Sequence, residues 1–266
     1  MASESSPMAS GAPLFTHERR QQIAYLLEAQ QRVTVSELSR LFSVSEVTIR
    51  KDLAWLETQK VAVRTHGGAV AVVVGTNEMG FDIREHLQQT EKDRIGSAAA
   101  DSVQNGETIF IDASTTGLAM AQLLKTRRDL TVVTNGLRSG MTLVGLPGIS
   151  VLIPGGMLRE ESFSLVGTWG TAVLKQIHIS RAFLGARGFT LNEGLTDVNG
   201  EEVELKRAIV ASAREVVAII DHSKWGEIAL ATFCPIERIK MIITDVNAPD
   251  AMVAQARSMG IEVLMA

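Results

Sequence analysis

The 266-residue sequence predicts an α/β protein in two parts, an N-terminal winged helix-turn-helix followed by a mostly parallel α/β domain. Three observations point there. Apolar residues recur at helical spacing through 18–59, broken by polar turns, and an alternating run tipped by Gly67-Gly68 follows. From 108 onward, short continuous apolar runs alternate with helical stretches, as in a sheet covered on both faces. Charge divides the same way: residues 17–70 hold 8 Lys+Arg against 6 Asp+Glu, whereas 71–266 hold 18 against 23. A mildly basic head on an acidic body suits a protein that meets a polyanion at one end.

In the head, the first helix carries Ile23, Leu26 and Leu27 on one face, flanked by Arg19, Arg20 and Arg32. Val33-Thr34-Val35 is short and β-branched and suits a strand edge. Ser36 stands where an N-cap belongs, ahead of Leu38, Leu41 and Phe42. Ser43-Val44 makes the turn, and Ser45 caps a third helix bearing TIRKDL (48–53). Ile49, Leu53 and Leu56 lie at i, i+4 and i+7 and face inward. That leaves Thr48, Arg50 and Lys51 outward, with Ser45 at the exposed start. Short hydroxyls and cations there suit the base edges and phosphates of a DNA major groove. In VAVRTHGGAV (61–70), Gly67-Gly68 supplies the free φ of a tight hairpin, and Arg64 and His66 ride this wing beside the DNA backbone. A merely solvated basic face is the plainer alternative. The caps, the spacing, the cations and the hairpin agree on DNA.

Cys234 stands alone, so no internal disulfide and no thiol-rich metal cluster is expected. The start, MASESSPMASGAP, lacks the cationic and apolar regions of a secretory signal, and residues 1–16 read as a disordered tail. No run is long and apolar enough to span a membrane, and a soluble cytoplasmic protein is expected. Residues 17–70 form the expected DNA-binding head, 71–90 a linker and 91–266 the second domain.

In that domain the stretch 81–103 ends in a helix through Ile95, Ala98, Ala99 and Val103. Strands are expected at 108–111, 131–135, 149–153, 181–186, 215–221, 241–245 and 261–265, with helices near 114–125, 167–177, 201–213 and 249–259 and another through Leu137, Met141 and Val144. Ligands of such sheets bind at the carboxyl ends of the strands. Polar or Gly groups collect there: 112–116 (DASTT), 134–136 (TNG), Gly155-Gly156, 185–188 (GARG) and 221–224 (DHSK). The hydroxyls and amides of 114–116, opening a helix, form a natural phosphate cradle. Glu202 and Lys206 share one helix face at i, i+4. Singly, each of these is more often a cap, a turn or a surface pair; their coincidence at five strand ends points to a pocket.

The head resembles the DNA-binding domain of the DeoR family of bacterial transcription regulators. Glu18-Arg19, the 33–38 run, Val44-Ser45, TIRKDL, Leu56-Glu57 and RTHGGA (64–69) carry the likeness. Lys51 stands where the family usually has a second arginine, which keeps the charge and loses the bidentate fork. TIFIDASTT (108–116), TVVTN (131–135), PGG with Leu158-Arg159, FLGA (183–186), EEVELKR (201–207) and DHSK extend it through the body. The resemblance implies a sensor domain related in fold to sugar-phosphate isomerases and CoA transferases, binding phosphorylated sugars. It implies DNA contacts at Arg19, Ser45, Thr48, Arg50, Lys51, Arg64, His66 and Gly67. It implies effector contacts at Asp112, Ser114, Thr115, Thr116, Thr134, Asn135, Gly155, Gly156, Glu202, Lys206, Asp221 and Lys224. Ser114 replaces the glycine usual in the family.

The expectation is a DNA-binding regulator, a repressor of a sugar-catabolic operon, acting as a homodimer or homotetramer on double-stranded operator DNA. It needs no cofactor or metal, and a sugar phosphate serves as effector. A sugar-phosphate isomerase or deaminase with a DNA-binding head is the alternative, with Asp112 and Glu202 as acid and base and Lys206 or Lys224 on an enediolate. A third possibility is a body that only assembles oligomers.

Overall fold

A computed structural model describes residues 15–30, 32–59, 61–65, 67–71 and 80–266. Most of the expected tail, residues 72–79 of the expected linker, and His66 lie outside them. The chain forms two compact units, 1–77 and 78–266.

In the first unit, α1 (Thr16–Gln30) leads to β1 (Arg32–Thr34), α2 (Val35–Phe42), α3 (Glu46–Thr58), β2 (Ala62–Thr65) and β3 (Gly68–Ala71). The three strands form one antiparallel sheet with β3 in the middle, its Ala69 opposite Val33 and Arg64. Ile23, Leu27, Leu38, Phe42, Ile49, Leu53 and Leu56 are buried together, so the helical spacing read from the sequence marks the inner faces. One cap differs from expectation. Thr34, not Ser36, begins α2: its Oγ1 accepts from Glu37 N–H while Glu37 Oε2 accepts from Thr34 N–H at 3.1 Å. A reciprocal pair satisfies two orphan amides, which a lone serine one step into the helix cannot do. Ser43 takes a left-handed φ of 52° and turns the chain toward Ser45, which caps α3 by accepting from Thr48 N–H at 3.2 Å.

Gly68 serves close approach rather than a special φ. A Cβ there would stand 2.0 Å from Val33 O, so only glycine lets β3 lie against β1.

The second unit opens with α4 (Phe81–His86) and α5 (Gln89–Ser102), so the expected linker ends sooner than 90. Arg138 holds α4 in place: its guanidinium bonds Asp82 and Glu85 and lies beside the rings of Phe81 and Phe163, 4.8 and 4.3 Å from their centroids. Then come β4 (Thr108–Ile111), α6 (Thr115–Leu123), β5 (Leu130–Thr134), α7 (Leu137–Leu143) and β6 (Ile149–Leu152). A short hairpin, β7 (Met157–Arg159) and β8 (Ser164–Val166), precedes α8 (Thr168–Leu174) and β9 (Ile179–Leu184). The remainder is β10 (Gly188–Thr190), β11 (Gly194–Asp197), α9 (Gly200–Ser212), β12 (Ala213–Ile219), β13 (Ala231–Cys234), β14 (Ile239–Thr244), α10 (Asp250–Ser258) and β15 (Glu262–Met265).

Seven strands form one parallel sheet in the order β15-β14-β12-β9-β4-β5-β6, and these are the seven expected from the sequence. Alternate residues feed two cores, as the pleat requires. Ile109, Ile111, Val217 and Ile219 pack under α5 and α6, while Phe110, Val216 and Ala218 pack under α9. The sequence did not foretell the hairpin β7–β8 or the antiparallel β10-β11-β13 sheet, whose strands are only three or four residues long. Cys234 ends β13 buried, and burial pushes its thiol up to about 12.

From β4 the chain winds outward through β5 to β6 and then crosses to β9 on the other side of β4. The winding therefore reverses between β4 and β9. Crevices at such reversals, outside the strands' carboxyl ends, are where open α/β sheets bind ligands.

Candidate functional site

On the head, α3 presents Arg50 and Lys51 to solvent, with Ser45 exposed at its start and Thr48 half-buried beside it, Oγ to Oγ1 2.9 Å. Arg50 pairs with Glu46 at 2.7 Å, one turn back on the exposed surface. Such a pair is weak in water and readily exchanged for a phosphate. Arg64 is exposed on the wing, its N–H donating to Glu57 Oε1 at 3.2 Å, and Gly67 is exposed with open space around it.

Arg19 departs from its expected role. It is buried, and its Nε donates to Asp52 Oδ2 at 2.7 Å. Asp52 lies three residues beyond Ile49, on the inner side of α3, where an ionised carboxylate needs partners. Arg20 supplies the second, at 2.8 Å to Oδ1, and stacks 4.8 Å over Trp55. Within TIRKDL, therefore, Arg50 and Lys51 face outward while Asp52 ties α1 to α3.

At the sheet's reversal, Asp112 follows β4. Its Oδ2 accepts from Gly185 N–H at 2.9 Å and faces Lys206 Nζ at 3.1 Å; its Oδ1 accepts from Ser114 N–H at 3.2 Å. Ser114 caps α6 by accepting from Gly117 N–H at 2.9 Å. A Cβ on Gly185 would fall 2.5 Å from Ser114 Cβ, so glycine at 185 makes room for serine at 114. Thr115 and Thr116 are buried in the first turn of α6.

After β5, Thr134 Oγ1 accepts from Gly136 N–H at 3.0 Å, and Asn135 Oδ1 accepts from Ala113 N–H at 3.1 Å. The Nδ2 of Asn135 is buried with no partner among the described residues. A native fold rarely leaves such a donor unsatisfied. Gly155 and Gly156, at φ 89° and 131°, turn the chain from β6 into the hairpin.

Glu202 and Lys206 are both buried on α9 and do not pair on the surface. Glu202 Oε1 accepts from Arg159 at 3.0 Å, from Ser162 at 3.0 Å and from Ser164, which locks the β7–β8 hairpin over the start of α9. Lys206 Nζ donates to Gly185 O at 2.9 Å and Asp197 Oδ2 at 2.8 Å besides facing Asp112. Burial works against its charge, but Asp197, Asp112 and Glu202 outweigh it and hold the ammonium form. Burial also opposes Asp197, yet Lys206 and Arg187 hold its carboxyl below the usual range. All three N–H bonds of Lys206 thus point at internal acceptors. In this arrangement Lys206 organises the strand ends. Arg159 entered the sequence reading only as part of a family motif, and Asp197, Ser162 and Ser164 were not singled out; the fold brings all four to α9.

After β12, Asp221 accepts from Ser223 N–H at 2.9 Å and from its hydroxyl. Burial opposes its charge, but Lys224, Ser223 and Lys92 hold its carboxyl below the ordinary range. Lys224 is half-buried; its backbone N–H donates to Asp221 O at 3.1 Å, and its ammonium acts on the Asp221 charge without a direct hydrogen bond or ion pair among the described residues. Next to it, His222 Nδ1 meets Asp245 Oδ1 at 2.9 Å, which fixes the ring. A larger hollow, about 270 Å³, opens at the opposite end of the sheet, beside Ile179 and Ala213 where β9 and β12 begin. His178 and Arg214 there are exposed, and no strand-end group reaches it.

Residues 19–73 match the family described as DeoR-like helix-turn-helix domain, and residues 87–246 the DeoR C terminal sensor domain. The HTH-type transcriptional regulator GolR of Listeria innocua is 39% identical over 95% of this chain and all of its own length. The glycerol-3-phosphate regulon repressor of Escherichia coli is 34% identical over 87% of this chain and 92% of its own. The HTH-type transcriptional repressor GlcR of Bacillus subtilis is 32% identical over 87% and 89%. Ribose 5-phosphate isomerase A from Methanocaldococcus jannaschii aligns over 52% of this chain and 55% of its own, at 16% identity and a TM-score of 0.39.

Proposed function

Given that this chain belongs to the DeoR family of transcription regulators, we propose that it represses a sugar-catabolic operon and that a phosphorylated sugar at the strand ends sets its hold on DNA. The observation that carries the DNA half is the two-sided α3: Ile49, Leu53 and Leu56 are locked in the core, and Arg50 and Lys51 stand free of it. A rigid helix with hydroxyls and cations on its outer face enters a major groove without rearrangement. Arg64 and Gly67 on the wing suit the neighbouring backbone. Two copies reading two half-sites make the working unit a dimer or a larger even assembly.

The effector half is supported by Asn135 Nδ2, buried beside the 112–116 loop with no partner among the described residues, and by Lys224, half-buried after β12. The N–H groups opening α6 and the hydroxyls of Thr115 and Thr116 suit a phosphate; Asp112, held by Gly185 and Lys206, suits sugar hydroxyls. The sugar changes DNA affinity only as far as it favours one of two arrangements of the protein over the other.

The purified protein, titrated onto its own upstream region and onto scrambled duplex in a mobility-shift assay, should prefer the former. Arg50→Ala with Lys51→Ala should weaken that binding at least tenfold, which is about 1.4 kcal/mol. A panel of sugar phosphates should change the affinity in the wild type and not in Lys224→Met. Equal binding to scrambled DNA overturns the DNA reading; a panel without effect overturns the effector reading.

A further inference from the structure

Lys92, on α5, is buried at the strand-end site although its sequence context gave no sign of it. Its Nζ donates to the carbonyls of Arg84, within α4, and Leu87, just past the end of α4. The same residue lines a small hollow, about 50 Å³, together with Thr115 of the phosphate-suited loop, Glu85 and Asp93. The charges of Lys224, Arg84, Arg187 and Asp221 all act on it. Burial and the three cations outweigh Asp221 and lower this lysine to about 7. A neutral amine has two N–H bonds, and both are used on these carbonyls. Protonation adds a third, which the two carbonyls leave over.

We propose, resting on the strand-end effector reading, that Lys92 is an oxyanion-binding residue of that site, giving one N–H to the bound anion while the other two hold α4. The anion neutralises the surrounding positive charge and so draws a proton onto Lys92 from solvent. Amine plus proton gives ammonium; nothing else changes hands. The state of the site is thereby written into α4, which Arg138, Phe81 and Phe163 already fasten to the β7–β8 hairpin.

The test is calorimetric titration of the full chain with sulfate, a tetrahedral oxyanion that does not itself titrate here. Buffers of different ionisation heat report the protons taken up. At pH 8 binding should take up close to one proton, at pH 6 almost none, and affinity should fall about tenfold per pH unit above 7. Lys92→Met should abolish the uptake and weaken binding at least tenfold. His222→Asn should keep the uptake, which excludes the nearby imidazole as its source. Should the methionine variant not fold, the pH dependence in wild type and His222→Asn decides alone. Binding without uptake at pH 8, or uptake that persists in Lys92→Met, overturns the role of Lys92. Absence of sulfate binding overturns it too; the effector reading then stands only if sugar phosphates still bind.

Discussion

At the scale of residues, the sequence exposed the charged groups but not their partners. Asp112, Glu202 and Asp221 could be picked out because each lies at the end of an apolar strand or the start of a helix, and Lys206 because it follows Glu202 by one helical turn. Lys92 could not, since it looks like any surface cation until the fold buries it. Arg19 failed in the other sense, as an apparent DNA contact that turns inward to Asp52. Replacing Asp52 by alanine should therefore cost about 3 kcal/mol of stability, because two guanidinium groups lose their common partner inside the head. Urea unfolding of the isolated variant and wild type measures it; a change below about 1 kcal/mol would mean the cluster is solvated. Lys92 makes a second prediction. Its folded pKa lies near 7, below the unfolded value, so the folded state binds fewer protons between about 7 and 10. Stability should therefore rise with pH across that window, by up to about 1.4 kcal/mol per unit, and the rise should be missing in Lys92→Met.

At the scale of elements, length decided what could be read. The seven strands of the parallel sheet are continuous apolar runs, and buried strands announce themselves that way. The hairpin β7–β8 and the β10-β11-β13 sheet have strands too short to show a period, and pairing rather than composition defines them. The start of α2 was misplaced although the pair Thr34 and Glu37 stood in the sequence; its reciprocal cap outranks the single hydroxyl of Ser36. The wing was legible, but for a partly different reason, since Gly68 is demanded by the carbonyl of Val33. Gly68→Ala should thus push β3 off β1, lowering stability by about 2 kcal/mol and weakening operator binding along with it. Retention of wild-type DNA affinity would show that the wing does not depend on this contact.

At the scale of the whole molecule, the division into a basic head and an acidic body was visible in charge alone, and the two matched families follow it. If Arg50, Lys51 and Arg64 each meet one phosphate in each half of a dimer, six counterions leave the DNA. The logarithm of operator affinity should then fall against the logarithm of salt with a slope of about −5. A slope near zero in a filter-binding series would leave these cations no part in the complex. The membrane expectation has only a narrow counterpart: among the described residues no helix is long and apolar enough to cross a bilayer.

The chain has a single cysteine, and burial both shields its thiol and favours the protonated form. The protein is in effect blank to thiol-directed reagents. A cysteine engineered into α3 or α4 becomes the one handle that a spin label or fluorophore will find, so distances between heads, with and without sugar phosphate, are open to spectroscopy without first stripping the native sequence.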